Sequence, residues 1–174
     1  MIGGGAIPLA DAPWQVSLWV YLDPPGPGSG PGFYAQCGGT LISQTVVLTA
    51  AHCLYDQDGR RSTAADVLVG TGQTDLRRFT SETPNPPVLP LRTVSRVSRH
   101  PRFETTITND IAYLRLSSPV SEVPDQVEVI DTAEPADVVS YPGGTDAKVS
   151  GWGSTVGEIE SPSFPTYPDV LHGT

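Results

Sequence analysis

The chain has 174 residues, of which 38% are hydrophobic, and it carries a formal net charge of −9 at pH 7. This length suits one ordinary domain, or one domain and part of another. The acidity excludes a nucleic-acid partner, because an acidic surface repels the phosphate backbone. No apolar run is long enough for a transmembrane helix, so no membrane partner is expected.

The predicted elements are short strands joined by turns, because 18 glycines and 18 prolines disfavour long helices. Alternating or continuous apolar runs predict strands, in chain order, at 14–22, 39–43, 46–49, 66–70, 91–98, 110–116 and 148–152, with one helical turn at 50–54. Proline-rich segments at 23–32 and 83–90 are predicted loops. Strands at this spacing are typical of a barrel or a sandwich, so the fold class is all-β.

Two features of the chain are candidates for metal binding. Cys37 and Cys53 are the two cysteines, and they can be free thiols, a disulfide or half of a metal site. No Cys-x-x-Cys or His-x-x-x-His spacing supports zinc. The segment Asp56-Gln57-Asp58-Gly59 resembles the start of an EF-hand loop, but no Glu follows at the required distance. We therefore predict no metal and no cofactor.

Several short motifs in the sequence indicate a catalytic function. The segments Thr49-Ala50-Ala51-His52-Cys53 and Asn109-Asp110-Ile111-Ala112-Tyr113-Leu114 resemble the histidine and aspartate motifs of the chymotrypsin-like (trypsin-like) serine proteases. Further landmarks of that family occur in the same order: Pro13-Trp14-Gln15-Val16-Ser17-Leu18, Cys37-Gly38-Gly39-Thr40-Leu41-Ile42, His100-Pro101 and Gly151-Trp152-Gly153. One such motif is a weak signal, but six in order leave little room for chance.

The resemblance implies a chymotrypsin-like double β-barrel. The first barrel would occupy residues 1–119 and be essentially complete, residues 120–146 would connect the barrels, and residues 147–174 would begin a truncated second barrel. It also implies a serine-type endopeptidase that acts on proteins or peptides, as a monomer when complete.

The chemistry expected of His52 and Asp110 is that of a catalytic triad. A serine hydroxyl is a poor nucleophile until an imidazole takes its proton, and histidine titrates close enough to neutral pH to do so. A carboxylate on the other ring nitrogen fixes the tautomer and stabilises the imidazolium. The alternative for Asp110 is a turn residue, since Asn-Asp pairs favour turns. His100 is expected to be structural, and His172 has no motif around it.

The family joins cysteines at the positions of Cys37 and Cys53, which implies a disulfide, an oxidising compartment and a secreted protein. In the family's calcium loop a Glu would follow Gly70, where this chain has Thr71, so the expectation of no metal is unchanged. The segment Ile2-Gly3-Gly4 matches the family's activated N-terminus, and we expect the natural gene to encode residues ahead of Met1.

The largest departure from the family is that the sequence contains no Gly-Asp-Ser-Gly-Gly motif, which carries the nucleophile. The oxyanion hole and the specificity pocket of the family belong to the same region. We therefore expect this chain alone to be inactive. Two alternatives to an enzyme are a non-catalytic protease homologue that acts as a binding module, and an all-β fragment with accidental motifs; the intact His-Asp pair favours the enzyme.

Overall fold

The computed structural model describes residues 4–23, 30–56, 58–76, 91–103, 108–134, 146–153 and 170–173. Its strands are β1 (Gly5–Ala6), β2 (Gln15–Leu22), β3 (Gly32–Ser43), β4 (Val46–Thr49), β5 (Val67–Thr71), β6 (Leu91–Arg99), β7 (Ala112–Leu116), β8 (Ser150–Gly151) and β9 (His172–Gly173). Short 3₁₀ turns lie at Leu9–Asp11, His52–Leu54 and Ala64–Asp66. Among the described residues, no helix has the length and the hydropathy needed to cross a membrane.

Six of the strands close into an antiparallel barrel in the order β2-β3-β4-β7-β6-β5. Strand β7 shows why the sequence favours this arrangement, since Ala112, Leu114 and Leu116 are buried while Tyr113 and Arg115 are exposed. Successive side chains of a strand point to opposite faces, so this alternation places one apolar row inside the barrel. The predicted all-β fold is confirmed.

The barrel interior holds one apolar core. Removal of this apolar surface from water is the main stabilising contribution to such a barrel. The buried members of the core are Val16, Leu18, Leu41, Val47, Ala51, Cys53, Leu54, Val67, Val69, Val94, Ala112, Leu114, Leu116, Val120 and Val127. Strands β3 and β4 approach closely at Gly39, where a Cβ atom would lie 2.9 Å from the Val47 side chain. A side chain at that position would force the two strands apart.

A second, smaller sheet has the order β1-β9-β8 and lies outside the barrel ladder. Its buried cluster is Ala12, Trp152 and Leu171. The indole Nε1 of Trp152 donates a hydrogen bond to the Thr74 carbonyl at 2.9 Å, and the Ser150 hydroxyl donates to Gln15 Oε1 at 2.7 Å. These contacts attach the small sheet to the segment that follows β5 and to strand β2.

The strand boundaries differ from the sequence prediction by more than one residue in three places. Strand β3 begins at Gly32 and not at residue 39, because residues 32–38 pair with β2 although they lack an apolar period. Strand β7 begins at Ala112 because residues 109–111 form a tight turn. Strand β8 contains two residues of the predicted five-residue strand.

Several predictions fall wholly or largely outside the described residues. They are the loops at 23–32 and 83–90 and the N-terminal motif Ile2-Gly3-Gly4, of which Gly4 alone is described. The division of the chain at 119 and 146 stays a prediction.

Candidate active site

The register of β4 against β7 brings His52 and Asp110 together. Thr49, the last residue of β4, lies opposite Ala112, the first residue of β7. His52 follows β4 by three residues and Asp110 precedes β7 by two, so both leave the barrel at the same end. Two residues 58 positions apart in the sequence are therefore neighbours in space.

Tight backbone turns present the two side chains. The turn at His52 is a 3₁₀ turn in which Leu54 N–H donates to the Ala51 carbonyl at 3.1 Å. Ile111 N–H donates to the Asn109 carbonyl at 2.8 Å, which makes Asp110 the central residue of a three-residue turn. Asn109 has a φ of 61°, a left-handed conformation that asparagine tolerates better than most residues.

Two hydrogen bonds join the residues. The Nδ1 atom of His52 lies 2.6 Å from Asp110 Oδ2, and the backbone N–H of His52 donates to Asp110 Oδ1 at 2.8 Å. Both oxygens of the Asp110 carboxylate therefore bind His52, and this fixes the plane of the carboxylate relative to the imidazole ring. The His52 side chain is 62% exposed, so its ring is accessible from solvent.

The pKa of the Asp110 carboxyl lies below the ordinary aspartate value of 3.8. Partial burial acts to raise this pKa, but the hydrogen bonds from the His52 ring and from the backbone N–H groups of His52 and Ala51 favour the charged form and prevail. Asp110 is therefore an anion at neutral pH.

A disulfide lies directly beside this pair. Cys37 and Cys53 are bonded, which confirms the predicted pairing, and the bond joins β3 to the 3₁₀ turn that carries His52. The Thr49 hydroxyl donates to the Gly38 carbonyl at 2.9 Å and fixes the end of β4 to β3. The backbone around His52 is thus held covalently and by hydrogen bonds before any substrate binds.

The ligand atoms of Cys37, His52 and Cys53 lie within 4.8 Å of one another. Both sulfurs belong to the disulfide, and metal ions require the thiolate. His52 Nε2 is 3.5 Å from Cys53 Sγ, a sulfur that carries no proton and accepts only weakly. The absence of a metal site stays a prediction.

The remaining candidates lie away from the pair. His100 Nδ1 accepts the Arg102 N–H at 3.2 Å, and the backbone N–H of His100 donates to the Ile111 carbonyl at 2.9 Å. His172 lies in β9 of the small sheet. Asp56 accepts the N–H of Asp58 at 3.1 Å and Arg60 Nε at 2.9 Å, so its carboxylate closes a local turn.

Sequence reasoning missed two features of this region. The first is the hydrogen bond from the His52 backbone N–H to Asp110, which the sequence motifs do not predict. The second is Arg99 at the end of β6, whose Nη2 donates to the Leu54 carbonyl at 2.7 Å and so contacts the turn that carries His52. The position of Arg99 opposite Ala112 becomes visible only once β6 and β7 are paired.

Comparisons with known proteins agree with the geometry. A family model described as Trypsin matches residues 1–169. Trypsin 5G1 of Aedes aegypti is 31% identical over 162 residues, which cover 92% of this chain and 50% of the relative. Trypsin of Phaedon cochleariae is 32% identical over 158 residues, which cover 89% of this chain and 50% of the relative. Trypsin II-P29 of Gallus gallus is 31% identical over 172 residues, which cover 98% of this chain and 54% of the relative.

The chain spans about half the length of the curated relatives it matches. The family model nevertheless covers all but the last few residues, and it includes the barrel together with strands β1 and β8 of the small sheet. The match and the order of the motifs together establish that the chain belongs to the trypsin family of serine proteases.

Proposed function

We propose that the complete protein is a secreted serine endopeptidase in which His52 is the general base and Asp110 orients it. The observation that carries this proposal is the distance of 2.6 Å between His52 Nδ1 and Asp110 Oδ2. The second bond, from the His52 backbone N–H to the other carboxylate oxygen, supports a fixed geometry. Membership of the trypsin family supports the reaction class and implies protein or peptide substrates.

The proposed steps follow from the contact between Asp110 and the Nδ1 atom of the His52 ring. Asp110 holds the proton on His52 Nδ1, which leaves the lone pair on Nε2 as the site that accepts a proton. Nε2 takes the proton of a serine hydroxyl as the oxygen attacks the scissile carbonyl, and later delivers it to the leaving amine. Asp110 stays ionised throughout and stabilises the transient imidazolium, in agreement with the lowered pKa of its carboxyl.

The nucleophile is placed outside these 174 residues, because they contain no Gly-Asp-Ser-Gly-Gly motif. The chain alone would then lack both the hydroxyl that His52 deprotonates and the donors that stabilise the tetrahedral intermediate. We expect the 174-residue chain to hydrolyse neither peptide nor ester substrates and to remain unlabelled by a serine-directed phosphonate. Ester hydrolysis that survives purification and is lost in His52→Ala would contradict this assignment.

The proposed location is extracellular. The Cys37–Cys53 disulfide supports it, because disulfides persist in oxidising compartments and are rare in the cytosol. Alkylation with and without prior reduction, followed by mass spectrometry of natively secreted protein, tests this. Two alkylated thiols in unreduced folded protein would count against a secreted enzyme.

The catalytic assignment is tested in the full-length protein from the complete coding sequence. We expect Asp110→Asn to lower kcat by about 10⁴-fold, the loss known for the corresponding change in this family. His52→Ala should cost at least as much, and the double variant little more, because triad members act as one unit. Steady-state kinetics on a chromogenic peptide provides the measurement.

The matched control is His100→Ala, which removes an imidazole outside the His52–Asp110 pair and should leave kcat nearly unchanged. Wild-type turnover in full-length His52→Ala would refute the enzyme mechanism. A full-length protein that folds, lacks the serine and retains a protein ligand would instead support the non-catalytic homologue, a binding module.

A further inference from the structure

A small cavity lies at the barrel end beside the His52–Asp110 pair. Its volume is about 170 Å³, and its lining residues are Tyr55, Arg61, Arg99, His100, Pro101 and Phe103. Tyr55 is connected to His52 by a backbone hydrogen bond of 3.2 Å, and His100 to Ile111, the neighbour of Asp110, by one of 2.9 Å. The cavity therefore borders the same end of the barrel as the proposed catalytic pair.

Arg99 is the most constrained of the lining residues. Its Nη2 donates to the carbonyls of Leu54, at 2.7 Å, and Ser62. Its Cζ lies 5.1 Å from the centroid of the Tyr55 ring, a cation–π distance. The Tyr55 ring in turn contacts the Phe103 ring with centroids 5.7 Å apart. The guanidinium is thus held in one place before any ligand arrives.

The charge of Arg99 is not balanced within the described part of the chain. The side-chain ion pairs found there are His52–Asp110 and Arg60–Asp56. The Nε of Arg99 is buried and makes no hydrogen bond. Burial is the main cause that lowers the pKa of Arg99; the interaction with Tyr55 opposes this shift, and nearby Arg61 adds to it.

Two acidic groups of the adjacent described segments are already engaged. The Asp56 carboxylate is bound to Arg60, and the Asp66 carboxylate accepts the backbone N–H of Thr63 at 2.8 Å. A purely structural role for Arg99, tying Leu54 to Ser62, explains its Nη2 contacts. That role explains neither the unpaired charge nor the second cation, Arg61, at the cavity.

We propose that this cavity binds the carboxylate of a glutamate or aspartate side chain on an acidic peptide. A guanidinium N–H donates a charge-assisted hydrogen bond to a carboxylate, and Nη1 of Arg99 is left to do so because Nη2 is bound to the Leu54 and Ser62 carbonyls. The rings of Tyr55 and Phe103 supply apolar walls for the methylene groups of such a side chain. The volume of about 170 Å³ is enough for one short side chain. Binding at this site does not depend on His52 chemistry, so it can be tested without a nucleophile.

The test uses the ¹⁵N-labelled 174-residue chain and two probe peptides, acetyl-Ala-Glu-Ala-amide and its Gln counterpart. We expect the Glu peptide to produce saturable shifts at the amides of Tyr55, Arg61 and His100, and the Gln peptide to produce none. Added salt should weaken binding, because it screens charges. Equal shifts with both peptides would overturn the proposal.

Variants locate the binding charge. Arg61→Gln removes an exposed lining cation and should weaken binding about two- to five-fold, as expected for one exposed charge pair. Arg99→Lys should weaken it about ten-fold, since lysine keeps the charge but its single ammonium cannot hold the Leu54 and Ser62 carbonyls and the ligand carboxylate in the same geometry. The matched control is Arg115→Gln, an exposed charge on the outer face of β7, which should leave the affinity unchanged.

Three outcomes would overturn the proposal. The first is that Arg115→Gln weakens binding as much as Arg61→Gln, which would mean that only net charge matters. The second is that sodium acetate alone binds as tightly as the Glu peptide, which would indicate a free-anion site. The third is that Arg99→Lys binds the Glu peptide as tightly as the wild type, which would mean that the Arg99 guanidinium takes no part in binding. If Arg99→Lys fails to fold, the Arg61→Gln and Arg115→Gln pair still decides.

Discussion

The closed barrel and the small sheet differ in how many apolar side chains they bury and in whether their strand ladder is closed. The barrel is the first barrel of the chymotrypsin-like fold, and its six strands leave no open edge in the ladder. The small sheet has three strands of two residues each, with a buried cluster of Ala12, Trp152 and Leu171. One region carries its own core, and the other depends on contacts with the barrel.

The difference explains where a rigid site can be built. His52 and Asp110 both leave barrel strands, and the Cys37–Cys53 disulfide fastens the same end. The small sheet depends on side-chain hydrogen bonds such as Trp152 Nε1 to the Thr74 carbonyl. Short strands with few buried apolar contacts belong to the low-stability end of a structure. The comparison therefore predicts that the barrel keeps its geometry when the small sheet opens.

The largest expected effect separates the two cores. Leu114 and Leu171 are both fully buried, one in the barrel and one in the small cluster. Leu114→Ala should destabilise the chain by about 3–5 kcal/mol, since it leaves a cavity in a closed core. Leu171→Ala should cost less than half of that, because the small cluster can open locally. Urea titration followed by fluorescence measures both, and equal losses would mean that the two regions unfold as one.

Loss of the disulfide should affect the barrel alone. The bond links residues separated by 16 positions, which corresponds to about 3 kcal/mol in the chain-entropy account. The variant Cys37→Ala/Cys53→Ala should lose about this much stability, and amide exchange should accelerate in β3 and β4. Exchange in β8 and β9 provides the internal control. Faster exchange confined to β8 and β9 would contradict the assignment of the bond to barrel stability.

Acid should destabilise the barrel through Asp110. The fold lowers the pKa of this carboxyl below 3.8, so the stabilisation is present above that value and is lost as the pH falls through the folded-state pKa. The urea midpoint should therefore decrease as the pH falls from about 5 to 3. Asp110→Asn should lower the midpoint at pH 7 and flatten this decrease. Asp131→Asn, at an exposed position, is the matched control, and an unchanged slope in Asp110→Asn would refute the prediction.

The smallest effect compares two glycines. Gly59 lies beside the barrel and Gly151 lies in β8, and a Cβ atom at either position would meet no atom within 4 Å. The two differ in backbone conformation, because Gly59 has a left-handed φ of 76° and Gly151 does not. Gly59→Ala should destabilise by about 1–2 kcal/mol through backbone strain. Gly151→Ala should be neutral within about 0.5 kcal/mol. Thermal unfolding measures both, and equal shifts of Tm would exclude strain as the cause.

Much of the barrel could be predicted from the sequence, because alternation of apolar and polar residues is a local signal. The alternation in β7 and the apolar run of β2 placed those strands within two residues of their observed ends. The start of β3 was not predicted, because residues 32–38 lack a regular alternation of apolar and polar residues and are held in the strand by pairing with β2. Strands β1 and β9 are equally invisible, since two-residue strands have no period to detect.

For the site, the sequence by itself determined which residue types were present, and their motifs identified the family. The contact of 2.6 Å between His52 and Asp110 was decided by the tertiary structure, because it depends on the register of β4 against β7. The bond from the His52 backbone and the burial of Arg99 Nε without a hydrogen-bond partner among the described residues also depend on that packing. Local sequence determines which way each side chain of a strand points, but the pairing of strands distant in sequence is determined by the core that they enclose together.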